Sequence, residues 1–73
     1  MSEYLEVIEV YEVRLRSGGK KYFAYARDPD TALLYVVKLD EEEARRMGVD
    51  HVVAEDELDD EDARELLGLP KKG

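Results

Sequence analysis

Residues 3–27 read EYLEVIEVYEVRLRSGGKKYFAYAR, and this stretch decides the fold. Val, Ile, Tyr and Phe are frequent in it, and β-branched and aromatic residues favour strands. Two adjacent glycines, Gly18 and Gly19, interrupt the pattern and can adopt the positive φ values that a tight hairpin turn requires. We therefore predict a β-hairpin with strands at 3–16 and 21–27.

The segment that follows the hairpin predicts a third antiparallel strand. Residues 28–31 are DPDT, where proline fixes φ and the aspartates can bond local amides, as is typical of a turn. Residues 32–39, ALLYVVKL, are apolar and partly β-branched, which favours a strand. A register that places Leu15 opposite Tyr22 keeps one face of this three-stranded meander apolar, and we expect that face to be the core.

A helix-capping signal comes directly after the third strand. Asp40 is a good N-cap residue, and Glu43, three residues further on, can complete a capping box. Acidic residues in the first turn and basic residues in the last turn suit the helix dipole. Gly48 then ends the helix, so the sequence predicts a short helix over 41–47.

The remaining chain predicts one more strand and one more helix. Residues 51–54, HVVA, favour a short fourth strand. Asp59 or Asp60 can cap a second helix, predicted over 60–67, which a glycine and a nearby proline end. The fold class is therefore α+β: a three-stranded antiparallel meander with a short helix, a short strand and a C-terminal helix, in a single domain over 1–73.

The net charge of −8 is concentrated in one half of the chain. Residues 1–39 contain six acidic and six basic residues, whereas residues 40–65 contain thirteen acidic and three basic ones. The hairpin half is thus neutral and includes a basic cluster, while the second half is strongly acidic. This asymmetry concerns partners and solubility, and it weakens a nucleic-acid role without excluding one.

Composition excludes several classes of protein. With no cysteine, the chain has no disulfide framework, no thiolate zinc site and no cysteine nucleophile. No apolar run approaches the roughly 20 residues that span a bilayer, and the N-terminus lacks the pattern of a signal peptide. We expect a soluble protein, cytoplasmic or recombinant, with no targeting signal and no membrane contact.

Metal-binding and catalytic patterns are weak. The run EDELDDED at 55–62 has many carboxylates but lacks the glycine that an EF-hand calcium loop requires. His51 is the sole histidine, and the few hydroxyl side chains lie in a tail and in turns, away from it. We therefore predict no enzyme activity and no catalytic residue, cofactor or metal ion. The acidic half could instead mimic the backbone of a nucleic acid.

The second face of the predicted sheet is the first candidate interaction surface. If the segment 49–58 covers it, its aromatic side chains belong to the core. If it is exposed, it forms an apolar surface with basic edges, suited to a protein partner or to stacking of nucleic-acid bases. Its candidate contact residues are Arg14, Phe23, Tyr25, Leu34 and Val36.

The first strand is the second candidate surface. In the predicted register Val10 faces Arg27, so residues 4–9 overhang the second strand and are apolar on both faces. The overhang needs a backbone partner, which is either the 51–54 strand or another chain, by β-augmentation or dimerisation. The candidate contact residues here are Tyr4, Ile8 and Val10.

Caps and turns are regular along the whole chain. GG and DPDT connect the strands, DEEEARRMG and DEDARELLGLP form the helices, and there is no Asn, Gln, Cys or Trp. In this agreement of propensity, capping and pattern the chain resembles a computationally designed α/β mini-protein, a resemblance of style and not of a family motif. A hyperthermophile protein would share the composition, and either origin implies a thermostable protein.

These observations favour a non-enzymatic protein-interaction module, natural or designed as a binder or scaffold. It would bind a protein partner or a second copy through an edge strand and an apolar sheet face. The alternative is a nucleic-acid-related protein, which either binds through the basic aromatic face of the hairpin or mimics nucleic acid through its acidic half.

Overall fold

A computed structural model describes residues 4–71, which form one mixed four-stranded sheet and two α-helices. The strands are β1 (Glu6–Arg14), β2 (Lys20–Arg27), β3 (Leu34–Leu39) and β4 (His51–Ala54). The helices are α1 (Glu41–Met47) and α2 (Glu61–Leu66), and a 3₁₀ turn (Glu55–Glu57) precedes α2. The strand order is β3-β2-β1-β4, with β1, β2 and β3 antiparallel and β4 parallel to β1.

Elements that depend on local sequence form as predicted. α1 covers 41–47, and its capping box is present: Asp40 Oδ1 accepts the Glu43 N–H at 2.7 Å, and Glu43 Oε1 accepts the Asp40 N–H at 3.1 Å. β4 covers 51–54. The α+β class and the three-stranded antiparallel meander are therefore confirmed, and a parallel fourth strand is added to them.

The hairpin turn is longer than predicted, which changes the register. The Leu15 N–H donates to the Gly19 carbonyl at 2.8 Å and the Gly18 N–H donates to the Leu15 carbonyl at 3.0 Å, so residues 15–19 connect the two strands. The predicted register, with Leu15 opposite Tyr22, places Val13 opposite Ala24. In the structure Val13 pairs with Lys21, three residues away on β2. Because an odd shift exchanges the faces of a strand, the predicted orientation of β1 is wrong.

The predicted overhang of the first strand is also wrong. Glu6 already lies opposite Arg27, so β1 stays paired with β2 almost throughout. A β-bulge between Val7 and Glu9 accommodates one extra residue in β1. One alternative had predicted that the 51–54 strand pairs with residues 4–9. β4 instead pairs with β1 at 11–14, so it leaves the outer edge of the preceding part of β1 uncovered.

Three elements are shorter than predicted. β1 ends at Arg14 because the connection begins at Leu15, and the predicted start at residue 3 lies outside the described residues. β3 begins at Leu34 because Ala32 has a φ of +63°, in the left-handed region that a strand does not use. α2 begins after Asp60, whose side chain caps the helix instead of belonging to it.

Each face of the sheet is covered by one helix. On the first face α1 contributes Ala44 to a cluster whose other buried members are Val10, Tyr22, Ala24 and Leu39. On the second face α2 contributes Ala63 to a cluster whose other buried members are Val13, Phe23, Leu58 and Leu67. α2 is therefore a main cover of the second face, and the predicted segment 49–58 contributes chiefly Leu58 and Val53.

Candidate protein-interaction surface

One end of the sheet extends beyond the helices. A nine-residue strand such as β1 spans about 30 Å, whereas helices of seven and six residues span only about 10 Å. Both core clusters lie where the helices are, and the opposite end carries exposed apolar side chains. We call this part the open end; it consists of Tyr4, Leu5, Val7, Ile8, Leu33, Leu34 and Tyr35, which are 38% to 70% exposed.

Strand pairing places side chains of the open end on both faces of the sheet. Val7 lies opposite Ala26, which in turn lies opposite Tyr35. Ala26 is fully buried, so Val7 and Tyr35 flank a small residue on one face of the sheet. The neighbouring row holds an ion pair in which Arg27 Nη1 lies 3.8 Å from Glu6 Oε1. Val7 and Tyr35 thus flank Ala26 on one face, while Leu34 lies in the row of the ion pair, whose side chains point to the other face.

The structure places three of the eight predicted contact residues at the open end, where Tyr4, Ile8 and Leu34 are exposed. Val10 and Phe23 are instead 2% and 0% exposed, in the core clusters on opposite faces. The changed register of β1 buries Val10, and packing against the α2 cluster buries Phe23. Neither side chain has surface available for a partner, so the prediction that they make contacts is wrong.

The other predicted contact residues lie elsewhere. Tyr25 and Val36 are half-buried neighbours on β2 and β3, packed against the α2 cluster. The Tyr25 hydroxyl donates to Asp60 Oδ2 at 2.6 Å, and burial together with this carboxylate raises the pKa of Tyr25 above its usual range. Arg14 is at the far end of β1, where its Nε lies 3.1 Å from Glu12 Oε2. It is not part of the open end.

Basic side chains of the hairpin are mostly engaged within the molecule. Arg16 Nη2 lies 2.7 Å from Asp56 Oδ1, and Arg14 and Arg27 are paired with carboxylates of β1. Lys21 Nζ donates to the carbonyl of Leu67, near the C-terminal end of α2. These cations are already partly neutralised, which reduces their attraction for phosphates.

The aromatic rings of the second face stack on one another. Tyr11 lies parallel to Phe23 with ring centroids 4.9 Å apart, and it stacks on His51 at 4.6 Å. His51 Nε2 is 3.6 Å from Glu9 Oε2, while the carboxylate of the neighbouring Asp50 accepts the Val10 N–H at 2.8 Å. Rings occupy both faces of Tyr11, and Phe23 is fully buried, so neither ring is free to stack on a base.

Many acidic residues of the second half hold the backbone in place. Asp40, Glu57 and Asp60 accept backbone N–H groups at the start of helical segments. Two acidic residues of α1 pair with basic residues one turn later. No group of three or more His, Asp or Glu side chains within residues 4–71 is arranged to hold a metal ion. None of the helices in that range is long and apolar enough to cross a membrane.

Arg64 is a buried residue that the sequence analysis missed. It is only 4% exposed, and its guanidinium donates to three carbonyls: Pro70 at 2.9 Å, Glu55 at 2.8 Å and Leu58 at 2.9 Å. These bonds tie α2 to the preceding turn and to the C-terminal segment. Arginine is usually exposed, so its residue type predicts the opposite of what the structure shows. The only sequence signal was weak: Arg64 lies between Ala63 and Leu67, which are both apolar and are both buried.

A shallow, open depression lies between α2 and β3 and was also missed. Its volume is about 320 Å³, and it is lined by Val36, Leu66, Asp62 and Glu65. The last three are spaced i, i+3 and i+4 along α2, so they share one helix face. That spacing is the available sequence signal.

No protein-family model, curated protein or solved structure matches this chain. The candidate surfaces are therefore derived from the geometry of the chain alone. The resemblance to designed mini-proteins stays a prediction.

Proposed function

We propose that this protein is a small non-enzymatic interaction module that binds a protein partner through the open end of its sheet. One observation carries the proposal: within residues 4–71, seven of the nine large exposed apolar side chains are at this end. A concentration of exposed apolar side chains in one part of a small protein is typical of interaction sites. Function as a designed binder or scaffold is consistent with the same surface.

Burial of the open end would supply part of the free energy of binding. Fully burying one large apolar side chain contributes about 1.5–3 kcal/mol. A micromolar complex needs about 8 kcal/mol beyond the costs of association. Because the side chains of the open end are already partly buried, each contributes only a part of that value, and main-chain bonds to an added strand have to supply the rest.

A nucleic-acid partner has less support. Phe23, which would have stacked a base, is buried beneath α2. The arginines of the hairpin are paired with carboxylates, so the basic edge is largely compensated. Mimicry through the acidic half is also less favoured, because many of its carboxylates cap helices or form ion pairs.

Selection of peptides from a displayed random library tests the proposal. We expect enriched peptides to bind with micromolar Kd values and to lose at least tenfold in affinity for the double variant Ile8→Thr/Leu34→Thr. Val52→Thr is the matched control, because Val52 is an equally apolar and exposed side chain (52%) on β4, away from the open end. Peptides that bind the double variant as well as the unchanged protein would contradict the proposal.

A further inference from the structure

β3 is an edge strand, and its outer side is suited to main-chain recognition. It is last in the strand order, and no other strand within residues 4–71 pairs with that side. Its sequence, LYVVKL, is apolar apart from Lys38, the type of charge that protects an edge from indiscriminate pairing. A peptide in extended conformation could therefore add to β3 as a fifth strand.

The acidic depression lies beside this edge. Val36 of β3 is one of its walls, and Leu66, Asp62 and Glu65 of α2 provide the others. A residue directly across from Val36 on an added strand would have its Cβ about 4.5–5.5 Å from that of Val36, on the same face of the sheet. A long side chain at that position would extend over Leu66 towards the two carboxylates.

The charge of the depression selects the side chain that fits it. Asp62 and Glu65 are both exposed, and neither carboxylate forms an ion pair among residues 4–71. Lysine and arginine combine an apolar stem, which matches Val36 and Leu66, with a cationic group that matches the carboxylates. The net charge of −8 adds long-range attraction for a basic segment.

We propose that the outer edge of β3 binds an extended basic segment of a partner protein as an added strand, with one arginine or lysine side chain in the depression formed by Val36, Leu66, Asp62 and Glu65. This inference rests on the proposed function, because the added strand would lie beside Leu34 and Tyr35 of the open end, and it extends the binding surface along β3 to the depression. Residues that flank the basic one would lie opposite Tyr35 and Val37 on the other face, so apolar flanking residues are favoured.

A basic partner fits this edge better than a second copy of the chain. In a symmetric antiparallel pair of β3 strands, the two-fold axis is perpendicular to the sheet, so both α2 helices would lie on the same face. Each copy would bring Asp62 and Glu65 to the interface and only one lysine, Lys38, to compensate them. Two chains of charge −8 also repel each other at long range.

An NMR titration of the ¹⁵N-labelled protein with a short peptide tests the inference. The probe is acetyl-Gly-Thr-Val-Arg-Val-Thr-Gly-amide, and its matched control carries Glu in place of Arg. We expect the Arg peptide to shift amide signals of β3 and α2 and to bind at least tenfold more tightly than the Glu peptide. Equal affinities, or shifts confined to other elements, would overturn the inference.

Two variants of α2 test the role of the depression. Glu65→Lys should remove most of the preference for the Arg peptide, because the new lysine balances the remaining charge of Asp62. Glu61→Lys is the matched control, because it makes the same charge change on the same helix outside the depression and should keep the preference for Arg. Circular dichroism checks that both variants are folded. An unchanged preference in Glu65→Lys would overturn the inference.

Further outcomes separate this inference from the proposed function. If neither probe binds, but library-selected peptides bind and lose affinity in Ile8→Thr, the basic partner is wrong and the proposed function stands. If those peptides also bind Ile8→Thr unchanged, the proposed function fails too. Sedimentation velocity tests for a second copy of the chain at this edge. If the protein dimerises, and if Leu34→Thr or Val36→Thr makes it a monomer, the occupant is a second copy. That result would also overturn the proposal of a basic partner.

Discussion

The covered and open ends of the sheet contain similar residues in different surroundings. Val13 and Val7 belong to the same strand, yet Val13 is 0% exposed and Val7 is 42% exposed. Tyr22 and Tyr35 differ in the same way, at 5% and 42%. What differs is the presence of a helix over the strand. Apolar side chains therefore stabilise the fold at one end and remain available to a partner at the other.

The largest difference between the two ends is expected for truncation of an apolar side chain. Phe23→Ala removes a fully buried ring from the α2 cluster and should lower the free energy of unfolding by about 4 kcal/mol. Leu34→Ala at the open end should lower it by at most about 0.5 kcal/mol. Urea denaturation followed by circular dichroism measures both. Comparable losses would show that the open end contributes to the core.

A buried cation at the covered end gives the next largest effect. Arg64→Ala leaves the carbonyls of Glu55, Leu58 and Pro70 without their donor, at a cost of about 3 kcal/mol. Arg45→Ala removes an exposed arginine from an i, i+4 ion pair with Glu41 and should cost only about 0.3–0.5 kcal/mol. The same denaturation experiment compares them. Equal losses would mean that the three carbonyl bonds contribute no net stability.

Removal of one hydroxyl group makes a finer comparison. Tyr25→Phe loses the bond to Asp60 and should cost about 1.5 kcal/mol at neutral pH. Tyr35→Phe, the same change at the open end, should leave the free energy of unfolding within about 0.5 kcal/mol of its original value. Denaturation curves at pH 7 test both, and a similar loss in Tyr35→Phe would contradict the assignment of the two environments.

The same tyrosine gives stability a defined dependence on alkaline pH. Burial, together with the Asp60 bond, raises the pKa of Tyr25 in the folded state, whereas a tyrosine in the unfolded chain has its ordinary pKa of about 10. The unfolded state therefore loses its proton first, so stability is complete below about pH 10 and decreases as pH rises through the folded pKa. Burial also raises the pKa values of Tyr11 and Tyr22. The decrease, measured by urea denaturation at a series of alkaline pH values, should consequently become shallower in Tyr25→Phe, without disappearing.

The parts of the fold that could be predicted from the sequence are those decided within a few residues. Asp40, Glu43 and Gly48 determine α1 by capping, and the helix has its predicted bounds. The register of β1 depends on whether the hairpin connection has two residues or five, and both are compatible with adjacent glycines. One wrong turn length then reversed the faces of the strand, which placed Val10 on the surface and concealed its packing against α1.

Surfaces formed by distant segments could be predicted only in part. Tyr4 and Ile8 were predicted from an overhang of the first strand that does not form, and Leu34 was predicted from the second sheet face; all three side chains are nevertheless exposed. Arg64 and the depression beside Val36 depend on where α2 packs, and nothing in the local sequence specifies that position. The helix that buries Phe23 also supplies Asp62 and Glu65, so the packing of α2 both removes a predicted contact residue and forms the depression.

The smallest change in the free energy of unfolding is expected for a substitution at Val7. Compared with the same substitution at Val13, it distinguishes the open end from the covered end most directly. Val7→Thr and Val13→Thr are the same nearly isosteric change on one strand. Val13→Thr places a hydroxyl in a dry cluster and should cost about 2 kcal/mol. Val7→Thr should change the free energy of unfolding by less than about 0.5 kcal/mol, because its hydroxyl remains in water. Since the stability is unaffected, any loss of affinity for library-selected peptides in Val7→Thr reports the binding surface itself. A loss of stability at Val7 equal to that at Val13 would mean that the open end is packed in solution, and the apolar side chains there would then need no partner.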